Sequence, residues 1–317
     1  MIIFNKKSIV KLFVAALFGV LYFIFFTSWG GFIDELVDRN VYMEQFSTGN
    51  VSSNYLEFDS IIKYLTNEWL WNAGVYKVVQ IGGSANYVLH GLSLFSIFVF
   101  GLFVVRNGGV FYLIFLLTPL FFDLVFSQIR IGVAFSLLMI AYELKRFQWA
   151  VFLLCFGAAL IHTSSFLFIA IYFAIKFTPS RYEYLFVVLI ALLVSVVIGP
   201  LREYILNFIG DRRAVYDDMS SSVIYMSYWW GVLILFFMSG LELSGRYIIG
   251  MAVVLLGVAC FNQLFGFYST RFLAVGLPLI ACAVSRMRKN IYYYITIIGF
   301  ALYATIQWFY WFANIYQ

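Results

Sequence analysis

The chain has 317 residues, of which 64% are hydrophobic, 21% aromatic and only 11% charged. Soluble globular domains normally contain about 25% charged residues, so this composition excludes a soluble protein and indicates a polytopic membrane protein. The formal net charge of +5 does not point to nucleic acid, because the basic residues lie mostly in short gaps between apolar runs, where they set membrane orientation.

The first apolar run follows three lysines near the N-terminus. Lys6, Lys7 and Lys11 precede the run 12–26, which resembles the hydrophobic part of a signal peptide. No small-residue cleavage site follows it, so we expect this run to be an uncleaved first membrane span.

A long polar segment, near residues 29–85, separates this span from the next apolar run. It is rich in acidic and aromatic residues, and its apolar residues between Leu56 and Trp69 have helical spacing. This pattern predicts an outer loop with an amphipathic helix on the membrane and with Trp69 and Trp71 at the interface.

The apolar runs together predict about eleven transmembrane helices, since each crossing needs about 20 residues. The fold class that we predict is all-α: a polytopic integral membrane helical bundle in which residues 1–317 form a single domain. No internal repeat or Pro/Gly linker divides the chain. The predicted spans lie near 10–28, 86–105, 109–126, 128–144, 148–161, 164–178, 183–199, 225–240, 246–266, 271–285 and 291–312.

The charge distribution predicts the orientation. If the N-terminus is cytoplasmic, twelve of the 20 basic residues but only three of the 15 acidic residues lie inside. This is the positive-inside pattern, and an odd number of spans then puts the C-terminus outside. The inside residues are Lys6, Lys7, Lys11, Arg106, Lys145, Arg146, Lys176, Arg181, Arg246, Arg286, Arg288 and Lys289, with Glu143, Glu183 and Glu242.

Two apolar regions carry polar residues near their middle: Ser-Gln-Ile-Arg at 127–130 and His-Thr-Ser-Ser at 162–165. A charged or imidazole group at bilayer depth costs several kcal/mol unless it faces a partner or water. The charge bias favours a hairpin in each region. Each arm of the hairpin at 148–178 is about 21 Å long, shorter than the roughly 30 Å hydrocarbon core. We therefore expect both turns to be recessed and to open outward.

A second outer loop is predicted near residues 200–224. A short helical pattern with Leu201 and Phe208 on one face ends at Gly210. Polar residues follow, and binding and catalytic groups often lie on such loops. They include Asp211, Arg212, Arg213, Tyr216, Asp217, Asp218 and the serines at 220–222.

Arginines on the outer side are the main chemical signal. One isolated arginine can simply reach toward lipid headgroups, but six oppose the charge bias: Arg39, Arg130, Arg202, Arg212, Arg213 and Arg271. Guanidinium groups bind phosphate and pyrophosphate bidentately. The candidate carboxylates are Asp38, Glu68, Asp123 and Asp211, and His162 is either a base or a residue that completes a turn.

No cofactor or metal is expected. The sequence has no Gly-rich phosphate loop, no H-E-x-x-H and no G-x-S-x-G motif. Cys155, Cys260 and Cys282 lie inside apolar runs without metal-ligand spacing, so they predict neither a metal site nor a disulfide.

Several short strings, in their order along the chain, resemble the EpsG/Wzy-type family of bacterial polysaccharide polymerases. They are 127–134 (SQIRIGVA), 160–165 (LIHTSS) and 269–272 (STRF), together with an Asp-x-x-x-Tyr element at 38–42 and the acidic residue Glu68. The similarity of order and topology covers roughly residues 30–285.

This resemblance implies a glycosyltransferase on the outer face of the bacterial cytoplasmic membrane. Such an enzyme transfers a glycan from polyprenyl pyrophosphate to a hydroxyl of a lipid-linked repeat unit, and polyprenyl pyrophosphate leaves. The implied partners are the lipid-linked oligosaccharide, membrane lipid, a chain-length regulator and a flippase. We assign catalytic roles to Arg130 and Arg271 at the leaving group and to His162 or Asp211 as the base. Substrate contacts are assigned to Asp38, Arg39, Tyr42, Glu68, Arg212, Arg213 and Tyr216.

Other classes stay open. An O-antigen ligase would use the same donor with a different acceptor, and it usually has a larger outer loop. A flippase or transporter would need polar sites open to both faces. A membrane acyltransferase would take its acyl donor from the cytoplasm, whereas the recessed polar residues here are predicted on the outer side.

Overall fold

The computed structural model describes residues 6–28, 33, 35–47, 67–178, 183–209, 222–241, 247–267 and 270–315. These residues are helical or lie in turns and contain no β-strand. The all-α prediction is therefore confirmed for this part of the chain.

The helices follow the apolar runs closely. They are α1 Lys6–Ser28, α2 Val37–Ser47, a π-helical turn Leu70–Gly74 that continues into α3 Val75–Gly82, α4 Ala85–Asn107, a 3-10 segment Val110–Leu116, α5 Pro119–Phe126, α6 Ile129–Glu143, α7 Gln148–Ile161, α8 Ser164–Lys176, α9 Glu183–Ile198, α10 Arg202–Ile209, α11 Val223–Met238, α12 Tyr247–Leu264, α13 Thr270–Val284 and α14 Ile291–Ile315.

Four helices of the described chain are long and apolar enough to cross a membrane: Ser8–Ser28, Ala85–Asn107, Tyr247–Leu264 and Ile291–Ala313. A fifth crossing arises if Pro119–Phe126 and Ile129–Glu143, which meet at a 95° bend, count as one broken span. Five further apolar helices are shorter. The described chain is thus helical and compatible with a helical membrane bundle, while eleven crossings stay a prediction.

The prediction of one continuous helix at 109–126 is wrong. This region forms the 3-10 segment and the separate short helix α5. Pro119 explains the interruption, because proline lacks an N–H donor and disfavours α-helical geometry in the residue before it. Proline is well suited to the first position of α5, where no intrahelical partner is lost.

The two segments predicted as outer loops contain short helices. Helices α2 and α3 lie within 29–85, and α10 lies within 200–224. Residues 51–66 and 210–221, which include most of the predicted amphipathic helix, lie outside the described residues. The expected interfacial position of Trp71 is wrong, because its side chain is 1% exposed and packs inside the protein.

The described residues form two compact units. The first comprises residues up to Leu113, Phe121–Ile169 and the C-terminal residues from Ala313, and the second comprises Ile114–Leu120 and Ala170–Phe312. In the first unit, α4 packs against α1 and α6, and α6 packs against α7. Helices α2 and α3 cover the N-terminal end of α4.

The first unit has chemically different ends. At one end the Lys11 ammonium donates to the Arg106 carbonyl (3.1 Å) and Arg106 pairs with Glu143 (3.4 Å). We call this the basic end; exposed Lys145 and Arg146 follow α6 there. At the other end of α4, Asn86 accepts a hydrogen bond from Arg39 (2.9 Å). Asn86 and Arg106 are separated by about 30 Å of helix, comparable to a bilayer core.

In the second unit, α12 is the central helix. It is buried along most of its length and packs against α9, α11 and α13. Glycine permits the close approach of α9, because a methyl group on Gly257 would lie 2.9 Å from the Ala191 Cβ. Pro278 lies inside α13.

Candidate functional site

The site lies at the end of the first unit opposite the basic end, where α6 begins. Helix α5 stops at Phe126, the chain bends by 95°, and α6 starts at Ile129. The Gln128 amide donates to the Asp123 carboxylate (2.6 Å), which links the two sides of the bend. Gly132 lets α5 approach closely, since a methyl group there would lie 3.0 Å from the Leu124 carbonyl oxygen. The bend places Arg130 in the first turn of α6.

Helix α2 presents one buried face to this end of the unit. Arg39, Tyr42 and Phe46 follow the three- and four-residue spacing of a helix face and are all buried. Tyr42 and Phe46 contact the Trp71 ring edge-on, with ring centroids 5.3 and 6.0 Å apart. These rings, together with Ile129 and Ile161, belong to one apolar core beneath the site.

Glu68 has an unusual backbone conformation. Its φ is +55°, in the left-handed region that a glutamate rarely adopts, and the residue is only 6% exposed. Its carbonyl accepts hydrogen bonds from the amides of Trp71 (3.0 Å) and Asn72 (3.1 Å), at the start of the π-helical turn. Strained residues of this kind persist where the surrounding structure holds them and are often found at functional sites.

Arg130 joins these elements. Its Nη1 forms a short ion pair with Glu68 Oε2, and its Nε donates to the Tyr42 hydroxyl (2.8 Å). The guanidinium carbon lies 5.2 Å from the centroid of the Tyr42 ring. The Arg130 side chain is 28% exposed, whereas that of Glu68 is 8% exposed. A buried carboxylate is thus covered by a cation that still reaches the surface of the unit.

Tyr42 takes part in this cluster as a neutral phenol. Burial raises the pKa of Tyr42 above its ordinary value of 10.0; the Arg130 cation opposes this rise, and the Asp38 and Glu68 carboxylates add to it. The hydroxyl therefore stays protonated at neutral pH. It acts as an uncharged acceptor that fixes the guanidinium.

His162 lies between α7 and α8, where the sequence predicts a break. The Ser164 amide donates to His162 Nδ1 (3.2 Å), and Ser164 Oγ lies 2.8 Å from the same atom. We therefore assign the lone pair to Nδ1 and the proton to Nε2, since Nδ1 cannot accept from an amide while protonated. Glu68 Oε1 is 3.8 Å away, beyond hydrogen-bond distance. In this geometry the imidazole caps the start of α8, so its turn-forming role is favoured over that of a base.

The remaining predicted site residues have different surroundings. Asp38 lies one helical turn before Tyr42, and its charge acts on Tyr42 and Arg130. Arg39 is 2% exposed and fastens α2 to α4 through Asn86, which disfavours direct contact with a sugar. Arg271 is exposed in the first turn of α13, in the second unit. Asp211, Arg212, Arg213 and Tyr216 lie outside the described residues.

Arg130, Glu68 and Tyr42 are all candidate site residues by sequence, but their contacts with one another were not predicted. Arg130 is 62 residues from Glu68 and 88 from Tyr42. No local sequence pattern predicts a contact between residues so far apart in the chain. The packing of Trp71 inside the protein was also missed. Ser164 was expected to complete the turn at 162–165, but its contact with the His162 ring was not predicted.

Comparisons with protein-family models, curated proteins and solved structures find no significant match to this chain.

Proposed function

We propose that this protein polymerises lipid-linked oligosaccharide repeat units on the outer face of the bacterial cytoplasmic membrane. The donor is a glycan linked to polyprenyl pyrophosphate, and the acceptor is a sugar hydroxyl on another lipid-linked unit. The observation that carries the proposal is the surface-reaching Arg130, paired with buried Glu68 at the end of the first unit opposite the basic end.

Location supports this reaction. The positive-inside rule puts the basic end in the cytoplasm, and α4 separates that end from Arg130 by a length comparable to the bilayer core. The Arg130 cluster then faces outward, at a depth that both a lipid pyrophosphate and an extracellular glycan can reach.

Chemistry supports it as well. A guanidinium can bind two phosphate oxygens at once and stabilise the charge that develops on a leaving pyrophosphate. A buried carboxylate beside it is suited to accept the proton of an acceptor hydroxyl. We therefore assign the leaving group to Arg130 and the base to Glu68, in preference to His162. The contribution of Arg271 and of the loop residues at 211–216 stays a prediction from the sequence.

The test uses purified protein in liposomes with a synthetic undecaprenyl-pyrophosphate repeat unit. We expect a ladder of longer glycans, with one molecule of undecaprenyl pyrophosphate released for each glycosidic bond formed. Arg130→Ala should reduce the ladder by at least about 100-fold, the usual effect of losing such charge stabilisation. Arg106→Ala is the matched control, because Arg106 also pairs with a glutamate but at the basic end.

Three results would overturn the proposal. A ladder that persists in Arg130→Ala at normal protein level removes the leaving-group role. Transfer that occurs only after a second, unrelated acceptor is added indicates a ligase. Movement of the lipid-linked unit across the bilayer without any new glycosidic bond indicates a transporter.

A further inference from the structure

The guanidinium of Arg130 has an uneven set of partners. Nε contacts Tyr42 and Nη1 contacts Glu68, while Nη2 makes no hydrogen bond within the described part of the chain. The Arg130 side chain is also more exposed than the carboxylate that it covers. An anion arriving from the surface of the unit therefore meets Arg130 before it meets Glu68.

Glu68 and Arg130 differ in their freedom to move. Glu68 is held by its left-handed backbone and by the two amide hydrogen bonds to its carbonyl, at the start of the π-helical turn. Arg130 stands in the first turn of α6 on a long side chain with several rotatable bonds. The backbone of Glu68 is therefore the more restrained of the two, and Arg130 has the longer side chain with which to turn toward another anion.

A pyrophosphate group competes well for this arginine. Glu68 engages a single guanidinium nitrogen, whereas neighbouring oxygens of a pyrophosphate can engage two nitrogens and carry more charge. A carboxylate that is neutralised by a guanidinium accepts a proton less readily than one that is not. Binding of the donor at Arg130 thus changes the chemistry of Glu68.

We infer that the ion pair of Glu68 with Arg130 is a lock that the pyrophosphate of the donor opens, so that Glu68 becomes an effective base only when the donor is bound. This inference rests on the proposed function. It gives Tyr42 a positioning role, because Tyr42 limits how far the guanidinium can turn.

The transfer step follows directly. The acceptor hydroxyl oxygen forms a bond to the anomeric carbon of the donor, and its proton passes to the Glu68 carboxylate. The bond between that carbon and the pyrophosphate oxygen breaks, and its electron pair leaves on polyprenyl pyrophosphate, whose charge Arg130 holds. When the product leaves, Glu68 releases the proton to water and pairs again with Arg130.

The experiment separates binding from turnover. Binding of undecaprenyl pyrophosphate and of inorganic pyrophosphate is measured without acceptor for wild type, Glu68→Gln and Glu143→Gln. Glu143→Gln is the matched control, because it neutralises the glutamate of the other Arg/Glu pair, at the basic end. In Glu68→Gln we expect both probes to bind about three- to tenfold more tightly, since Arg130 no longer gives up a charged partner. Polymerisation should fall by about 100-fold or more.

The outcomes are distinct. Unchanged or weaker binding of both probes in Glu68→Gln, with a polymerising wild type, overturns the lock and leaves the proposed function intact. Tighter binding of the lipid probe alone also overturns it, since the pyrophosphate would not be the displacing group. A wild type that binds neither probe overturns the proposed function together with the inference.

A second variant covers the case in which Glu68→Gln does not fold. Glu68→Asp keeps the charge but shortens the side chain by one methylene, which weakens its contact with Arg130. We expect tighter binding of both probes with measurable polymerisation. Binding equal to that of the wild type would contradict the lock.

Discussion

At the scale of single residues, the site depends on a tyrosine whose hydroxyl and ring have separate tasks. The Tyr42 hydroxyl accepts from Arg130, while its ring packs against Trp71. Tyr22 offers a comparison within the same unit, because its buried hydroxyl has no hydrogen-bond partner in the described structure. Both tyrosines are buried, but of the two only Tyr42 has a hydrogen-bonded hydroxyl within the described residues.

We predict that Tyr42→Phe destabilises the protein by about 1 kcal/mol, the usual net value of one hydrogen bond, and slows polymerisation because Arg130 is less well fixed. Thermal unfolding in detergent and the glycan ladder measure the two effects. Tyr22→Phe should leave both unchanged. A Tyr42→Phe protein as stable and active as Tyr22→Phe would show that the ring packing, and not the hydrogen bond, is what Tyr42 supplies.

At the scale of helices, the bend between α5 and α6 places the Arg130 side chain beside Glu68 and Tyr42. Gly132 is two residues further along, and a methyl group there would lie 3.0 Å from the Leu124 carbonyl oxygen. Any side chain at this position has to push the two helices apart. Gly91, in α4, has no atom within 4 Å of an added methyl group.

Gly132→Ala is therefore expected to cost about 1–3 kcal/mol by overpacking and to reduce polymerisation by displacing the start of α6. Gly91→Ala should be neutral or slightly stabilising, since alanine favours a helix more than glycine does. Thermal unfolding of both variants, with the glycan ladder as the second measurement, checks this difference. A Gly132→Ala protein as stable and active as Gly91→Ala would contradict a tightly packed bend.

At the scale of the whole molecule, the sequence was a good guide to where helices lie and a poor guide to how they meet. Apolar runs predicted the positions of α1, α4, α6 and most later helices, because each run is continuous and bounded by charges or turns. The run at 109–126 was wrongly predicted as one helix, because its continuous hydrophobicity was given more weight than the interruption at Pro119. The left-handed Glu68 gave no local signal at all, because glutamate is not a typical turn residue.

The orientation is open to a direct measurement. In a variant with Cys155, Cys260 and Cys282 replaced by alanine, Asn40→Cys and Lys145→Cys report on the two ends of the first unit. A membrane-impermeant maleimide should label Asn40→Cys in intact spheroplasts, and Lys145→Cys only after permeabilisation, because positive charge stays in the cytoplasm. The reverse pattern would place the Arg130 cluster inside the cell and exclude an extracellular reaction.

The long separation between Glu68 and Arg130 also has a consequence for biogenesis. Glu68 leaves the ribosome 62 residues before its cation. During synthesis the segment that carries this carboxylate is therefore made before Arg130, and the ion pair between them forms only after α6 has been made. A nascent chain arrested between α4 and α6 therefore lacks the ion pair, and the site is completed only when the start of α6 is added.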